Sequence, residues 1–476
     1  MKARILASEH RKWWTLGAVA FALFMIMLDN TVVNVALPSI ERGIGASISQ
    51  LEWVVNAYAL TFAVLMLTGG KLADHVGRRQ IFLTGLVVFT AMSLACGLAA
   101  TAGELIAFRA LQGAGAALMM PATLAIISAA FPPRQRGAAF GIWAGVSAMA
   151  LAIGPIVGGL LAQHANWSWI FFINVPVGVL AVLFGRIVIA ESRDMSAEQS
   201  LDLPGLAVSG AAMFALTFGL IEANNYGWTS TTILSLFAAA AAGLALFVWI
   251  ELRRRAPMLD LSLFRSSTFA GANIAALLVM LAMFGIFFFM SLYVQQILGY
   301  SPVQAGAIFL PMTVLIIFVA PIAGKLSDHV GSRWLMAAGL TLVSGSLVLF
   351  SRLETQSGFW DMLPGLVVGG VGMASVMTPM TAAAMGSVAL DKAGVASGVL
   401  NTFRQVGGAL GIAVMGAILT SRQASALASG ATPQAAFVDG FQIALLAGAI
   451  IAFAGALSAA LLIRPVRHPE PALETA

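Results

Sequence analysis

The chain has 476 residues, 60% hydrophobic and only 9% charged, with a formal net charge of +5 and a mean hydropathy of +0.93; soluble domains average about a quarter charged, so a soluble globular fold is excluded. Forty-eight glycines and 17 prolines without a short period exclude collagen and low-complexity disorder, and one cysteine with five dispersed histidines leaves neither an intrachain disulfide nor a zinc pattern. The composition is that of an all-α polytopic membrane protein.

A bilayer core needs about 20 apolar residues per helix. Segmenting on that basis predicts fourteen spans near 14–37, 51–72, 80–99, 104–129, 137–163, 168–190, 203–222, 231–252, 268–297, 303–325, 333–351, 361–387, 395–421 and 437–463. Lys2, Arg4, Arg11 and Lys12 precede an apolar run too long for the core of a cleavable signal, so the first span is expected to remain. With the N-terminus placed in the cytoplasm, 20 lysines and arginines fall on the inner side. Only Arg42, Arg352 and Arg422 fall outside, and Arg109 and Arg404 lie within spans. This asymmetry predicts an inner (plasma) membrane protein with both termini cytoplasmic, and it reads the basic balance as topogenic charge, with no nucleic acid partner.

Residues 70–79 read GKLADHVGRR and residues 324–333 read GKLSDHVGSR, identical at eight of ten positions. Pro121 with Pro379, Gly137 with Gly394 and Gly154 with Gly411 continue the correspondence at nearly the same offset. The chain therefore reads as a duplication of six helices, a plan known among secondary transporters. Two further helices are inserted between the halves. The expected units are 1–190, an N-terminal six-helix half; 191–267, a linker with two inserted spans; and 268–476, a C-terminal six-helix half with a short cytoplasmic tail.

Asp29 is the acid placed well inside the first span, and an intramembrane carboxylate is by default functional. At 1.5 Å per residue it lies about 12 Å from the outer end of its span, and Arg109 about 8 Å from the outer end of the fourth. A pairing, direct or through water, is therefore allowed and would tune the proton affinity of the carboxylate. A static buried ion pair holding the two helices is the other reading of these residues. Asn34, Asn56 and Tyr58 add polar groups to the outer halves of spans 1 and 2 and are expected to line the substrate cavity. Gly70, Asp74, Gly77, Arg78 and Arg79 form a basic loop repeated at Asp328 and Arg333, which suggests a gate used in both halves. In span 5, Gly154, Gly158 and Gly159 permit close helix approach and Pro155 frees a carbonyl. Met283, Phe284, Phe287, Met290, Met373, Met377 and Met380 recur at helical spacing and suit either an adaptable apolar lining or ordinary packing. Arg404 stands mid-span without an obvious partner, as a functional residue or a core brace, and Glu222 reads as a solvated helix end. No phosphate-binding G-x-x-x-x-G-K-[ST], H-E-x-x-H or G-x-S-x-G occurs. Neither an ATP-driven pump nor an enzyme is expected, and no cofactor or metal.

The loop GKLADHVGRR, the span-1 segment MLDNTVVNVALP, the span-4 segment LIAFRALQGAGAA and the span-5 segment SAMALAIGPIVGG together resemble the major facilitator superfamily, and within it the fourteen-helix drug:proton antiporters, over essentially the whole chain. That resemblance implies the major facilitator fold and alternating access. It implies proton-coupled efflux of lipophilic, often cationic drugs or antibiotics, with Asp29 and Arg109 in proton coupling and the span-5 segment as the antiporter motif. The partners it implies are a small lipophilic substrate, protons and the lipid bilayer, the protein acting as a monomer. A dedicated exporter of one metabolite, peptide, sugar or lipid is the alternative on the same fold.

Overall fold

The computed structural model describes residues 8–193, 202–254, 257, 259–388 and 393–464. The first six long helices are α1 (Ser8–Ile44), α2 (Ile48–Val76), α3 (Arg78–Leu98), α4 (Ala102–Ala130), α5 (Pro133–His164) and α6 (Trp169–Val188). Two more follow, α7 (Leu203–Tyr226) and α8 (Thr231–Arg253). The last six are α9 (Ser267–Ile297), α10 (Pro302–Ile308, continuing as Leu310–Val330), α11 (Ser332–Phe350), α12 (Phe359–Gly386), α13 (Ala393–Ala428) and α14 (Pro433–Leu462). Thirteen have an apolar window long enough to cross a membrane; α5, at 32 residues, is the remaining long helix. The helices fall on the fourteen predicted spans.

Helices dominate because lipid offers backbone groups no hydrogen-bonding partner, so each segment must satisfy its own. The exposed first turns are closed by side chains. Ser47 and Ser301 each form a reciprocal capping box, with Gln50 and Gln304, and Thr101, Ser230, Ser266 and Thr432 each accept from a first-turn amide.

Within each set of six, glycine lets backbones touch. A methyl at Gly113 of α4 would lie 3.1 Å from the Tyr58 carbonyl carbon of α2, and one at Gly411 of α13 would lie 2.8 Å from the Leu281 carbonyl carbon of α9. Helices α7 and α8 pack on each other, and α7 also touches α2 and α13. The outer face of α8 is left bare, with Ile233, Ala240 and Glu251 its buried residues.

Three hydrogen bonds that join the first six helices to the last six gather at the end of the bundle poor in basic residues. Gln295 donates to the Val35 carbonyl at 2.8 Å, the Val303 amide donates to Gln163 at 3.3 Å, and Gln296 donates to Glu41. At the basic end, the Lys71 ammonium donates to the Pro257 carbonyl in the segment after α8, at 2.6 Å.

Candidate functional site

Helix α4 presents Arg109 and Gln112 one turn apart, hence on one face, and that face meets Asp29 of α1. Arg109 NH1 stands 2.5 Å from Asp29 Oδ2, while Asp29 Oδ1 accepts from Gln112 Nε2 and from Asn174 Nδ2 of α6, both at 3.1 Å. Arg109 also donates to Gln112 Oε1 at 2.7 Å and, through Nε, to the Val54 carbonyl of α2 at 3.2 Å. Asn174 donates as well to Ser93 of α3, which donates to the Phe171 carbonyl. The guanidinium carbon lies 4.2 Å from the centre of the Tyr58 ring and 5.7 Å from that of Phe171, both within cation–π range. Asp29 is 0% exposed and Arg109 1%.

A buried ion pair survives only when further hydrogen bonds occupy the remaining lone pairs and protons. Here both carboxylate oxygens and three guanidinium bonds are accounted for, by side chains of α1, α4 and α6 and a backbone carbonyl of α2. Such a site gives the polar atoms of the pair partners in a water-poor interior. Protonation of Asp29 would remove half of the pair and leave the guanidinium to neutral acceptors. The sequence places the two charges at similar depth; Gln112 and Asn174 complete the site, and the available signal was their being polar residues in otherwise apolar runs.

Asn56 is buried, with neither amide atom partnered, and Tyr58 is buried as the plate beneath Arg109. Asn34 is buried too, its amide nitrogen donating to the Asn30 carbonyl at 3.0 Å. These three, expected to line the cavity, are therefore closed off in this conformation. Of the methionines and phenylalanines that suit either an apolar lining or packing, Met283, Met290, Met373 and Met380 are buried in the core, and Phe284, Phe287 and Met377 are half-buried at its edge. Hydrophobic packing inside the second half takes up the first group.

In the basic loop, Arg78 pairs with Asp74 at 2.7 Å. The amides of Arg79 and Gln80, at the start of α3, donate to the two oxygens of Glu191 at 3.0 and 3.2 Å. A carboxylate there satisfies unpaired first-turn amides and the positive helix end. Gly77 has φ 138°, and a methyl on it would meet Glu191 Cδ at 2.8 Å, so both backbone and space demand glycine. Gly70 packs on Pro121 of α4. The second copy differs because Ser332 replaces the first arginine. Ser332 Oγ lies 2.9 Å from Ser327 Oγ, and Arg333 covers the Trp334 ring at 4.7 Å. The Asp328 side chain lies outside the described residues.

The span-5 segment faces two ways. A methyl at Gly154 would meet Thr31 Cβ at 2.7 Å and one at Gly158 the Val32 carbonyl oxygen at 2.8 Å, both on α1. One at Gly159 would lie 2.8 Å from the Pro302 carbonyl carbon of α10, while the Pro155 carbonyl abuts Gly306. The segment thus seats α1 on one side and the second set of six helices on the other.

Of the remaining charged residues in the spans, one departs from its sequence reading. Arg404 is half-buried; NH2 donates to Thr381 Oγ1 of α12 at 2.8 Å, NH1 to Asn401 at 3.4 Å, and Nε is buried without a partner. Glu222 is no free helix end, since it accepts from Trp53 Nε1 at 3.3 Å and from Asn225 at 2.7 Å. Glu52, at the very start of a predicted span, is 2% exposed, its carboxylate lodged against Gly416 of α13.

The profile of the Major Facilitator Superfamily matches residues 19–202 and again residues 203–412. The chain belongs to the major facilitator superfamily. This transporter is 38% identical over 412 residues to the tetracenomycin C resistance and export protein of Streptomyces glaucescens, covering 87% of its own length and 77% of that protein. It is 36% identical to the puromycin resistance protein of Streptomyces alboniger, over 91% and 86% of the two chains, and 32% identical to a multidrug transporter protein of Bacillus subtilis, over 91% and 80%. Among solved structures, an inward-facing, unoccupied bacterial homologue of the human lysosomal transporter Spinster superposes with a TM-score of 0.68 at 17% identity, covering 95% of this chain and 97% of that one; this is a likeness of fold. The protein is thus a multi-pass membrane transporter of small molecules and not an enzyme.

Proposed function

We propose that the transporter exports lipophilic drugs or antibiotics across the plasma membrane in exchange for protons, with both termini cytoplasmic. The buried Asp29–Arg109 pair carries this reading, because an ionisable carboxylate inside the membrane, paired to a charge on a neighbouring helix, is a place where a proton can alter how two helices pack. The relatives' names supply the substrate class and the charge asymmetry of the loops the orientation. The halves 1–190 and 268–476 rock about the site, acting as a monomer, with the two helices of 191–267 beside them. The hydrogen bonds at the charge-poor end then close the outer face, and the pathway opens inward.

A proton reaching Asp29 from outside weakens its charge-assisted bond to Arg109 and frees α1 to shift against α4. Its loss inside restores the pair. Each inward proton supplies about 2.3 kcal/mol per 100 mV. The loop of Gly70, Asp74, Gly77, Arg78 and Arg79, with Asp328 and Arg333, gates the inner end, and Gly154, Pro155, Gly158 and Gly159 hold the outer end shut. Phe284, Met377 and Arg404 line the cavity, while Asn34, Asn56 and Tyr58 reach it only when the helices part.

The test is efflux of puromycin, tetracenomycin C and ethidium from energised cells, wild type against Asp29→Asn, with and without a protonophore. Export that collapses under both treatments is expected. Export that survives uncoupling overturns proton exchange. A folded wild type that moves none of the three compounds favours a dedicated exporter of one metabolite, peptide, sugar or lipid.

A further inference from the structure

Cationic substrates are what the family resemblance implies, and an intramembrane carboxylate would favour them, but the structure commits that carboxylate elsewhere. Both oxygens of Asp29 are occupied by Arg109, Gln112 and Asn174, and the residue is fully buried. Another charge in the membrane interior, Arg404, has the opposite arrangement. Its partners are a neutral hydroxyl, Thr381, and a neutral amide, Asn401; its Nε–H has no acceptor; and among the described residues no carboxylate pairs with it.

It stands where α13 meets α9 and α12. Helix α13 presses Gly407 and Gly411 onto the α9 backbone and Gly398 onto Leu67 of α2, and it packs against α14 on a further side. Arg404 shares that α9-facing stripe, standing three, four and seven residues before Gly407, Gly408 and Gly411, and from it reaches Thr381, an exposed residue of α12. Half-buried Phe284 lies against Gly408, one turn along α13, and half-buried Met377 stands one turn from Thr381 on α12. An unpaired guanidinium in a low-dielectric setting is costly. Its planar fork of N–H groups matches a carboxylate or an aromatic oxyanion in a way an ammonium does not.

We propose that Arg404 is the substrate-recognition residue of the cavity and selects lipophilic organic anions, molecules with an apolar body and one carboxylate or phenolate. The proposal rests on the export reading above. Phe284 and Met377 receive the apolar body, and the uncommitted edge of the guanidinium receives the oxyanion. The site prefers anions, and cationic drugs are its poorer ligands.

Fluorescein and rhodamine 123 share a xanthene core and differ in charge. Binding of each to the purified full-length protein in detergent is read by fluorescence polarisation for wild type, Arg404→Gln and Arg404→Lys, with thermal unfolding of each variant as the folding control. Wild type is expected to bind fluorescein at least tenfold more tightly than rhodamine 123. Arg404→Gln should lose tenfold or more in fluorescein affinity with rhodamine binding unchanged or improved, and Arg404→Lys should fall between. A wild type that prefers rhodamine, binds neither dye, or is weakened equally for both dyes by Arg404→Gln overturns the proposal; should Arg404→Gln not fold, the wild-type preference and Arg404→Lys decide. Anion binding that persists in a protein unable to drive proton-coupled efflux would count against the export reading and leave anion recognition standing.

Discussion

Gly306 of α10 rests so closely on Pro155 of α5 that a methyl on the glycine would lie 2.6 Å from the proline carbonyl carbon. The contact joins the first six helices to the last six through backbone alone, at the end where Gln295 and Gln296 also bridge to α1. Overpacking a fitted contact costs about 1–3 kcal/mol. Gly306→Ala and Gly159→Ala should therefore separate the two sets at this end and depress transport, whereas Gly17→Ala, with nothing within 4 Å of the new methyl, should be tolerated. Distance distributions between spin labels on α5 and α10 check this. Unchanged distances in the two alanine variants would show that the contact does not hold this end closed.

Removing one partner of a buried ion pair costs about 3–5 kcal/mol, because a charge is left uncompensated. Asp29→Asn and Arg109→Gln should each lower the melting temperature in detergent. The double variant should regain much of that loss without regaining proton-coupled efflux. A double variant that melts as low as the sum of the singles would argue against pairwise compensation.

Glu191 serves α3 as a cap supplied from the end of another helix. Loss of such a cap costs about 0.5–2 kcal/mol. Glu191→Gln keeps acceptor capacity in one oxygen and should cost toward the low end; Glu191→Ala should cost more. Gly77→Ala should exceed both, since it adds backbone strain at φ 138° to a collision with the same carboxylate. Thermal unfolding ranks the three, and a neutral Gly77→Ala would refute the ordering.

Glu52 has the opposite character to Asp29, for it is buried where α2 meets α13 and no cation among the described residues pairs with it. An unpaired charge there only destabilises. Glu52→Gln should leave the melting temperature unchanged or raise it, while Asp29→Asn lowers it. The two carboxylate-to-amide changes thus carry different signs. A marked fall for Glu52→Gln would reveal a stabilising role for its charge.

Much of this protein was legible in its residues. Hydropathy and basic-residue placement marked out fourteen helices, because a helix must run some 20 apolar residues to cross lipid and inner loops retain positive charge. The glycines of span 5 advertised close approach, and Asp29 and Arg109 stood out because charge is rare at that depth. Each of these signals is local, a property of one segment against its solvent.

The tertiary structure decided what each signal faces. Lipid is as apolar as a helix interior, so sequence periodicity does not separate a membrane-facing side from a packed one. Met283 and Met380 look like Phe284 and Met377 in sequence, yet the first two are buried in the core and the second two sit at its edge. Gly154 and Gly159 are alike on paper, and one seats α1 while the other seats α10. Glu191 reads as a linker acid until α3 points its first amides at it. Apolar length set the number of the helices; only the rotation of each about its own axis placed Gln112 and Asn174 on Asp29 and left Arg404 without a countercharge among the described residues, and that rotation is fixed by packing between segments far apart in the chain.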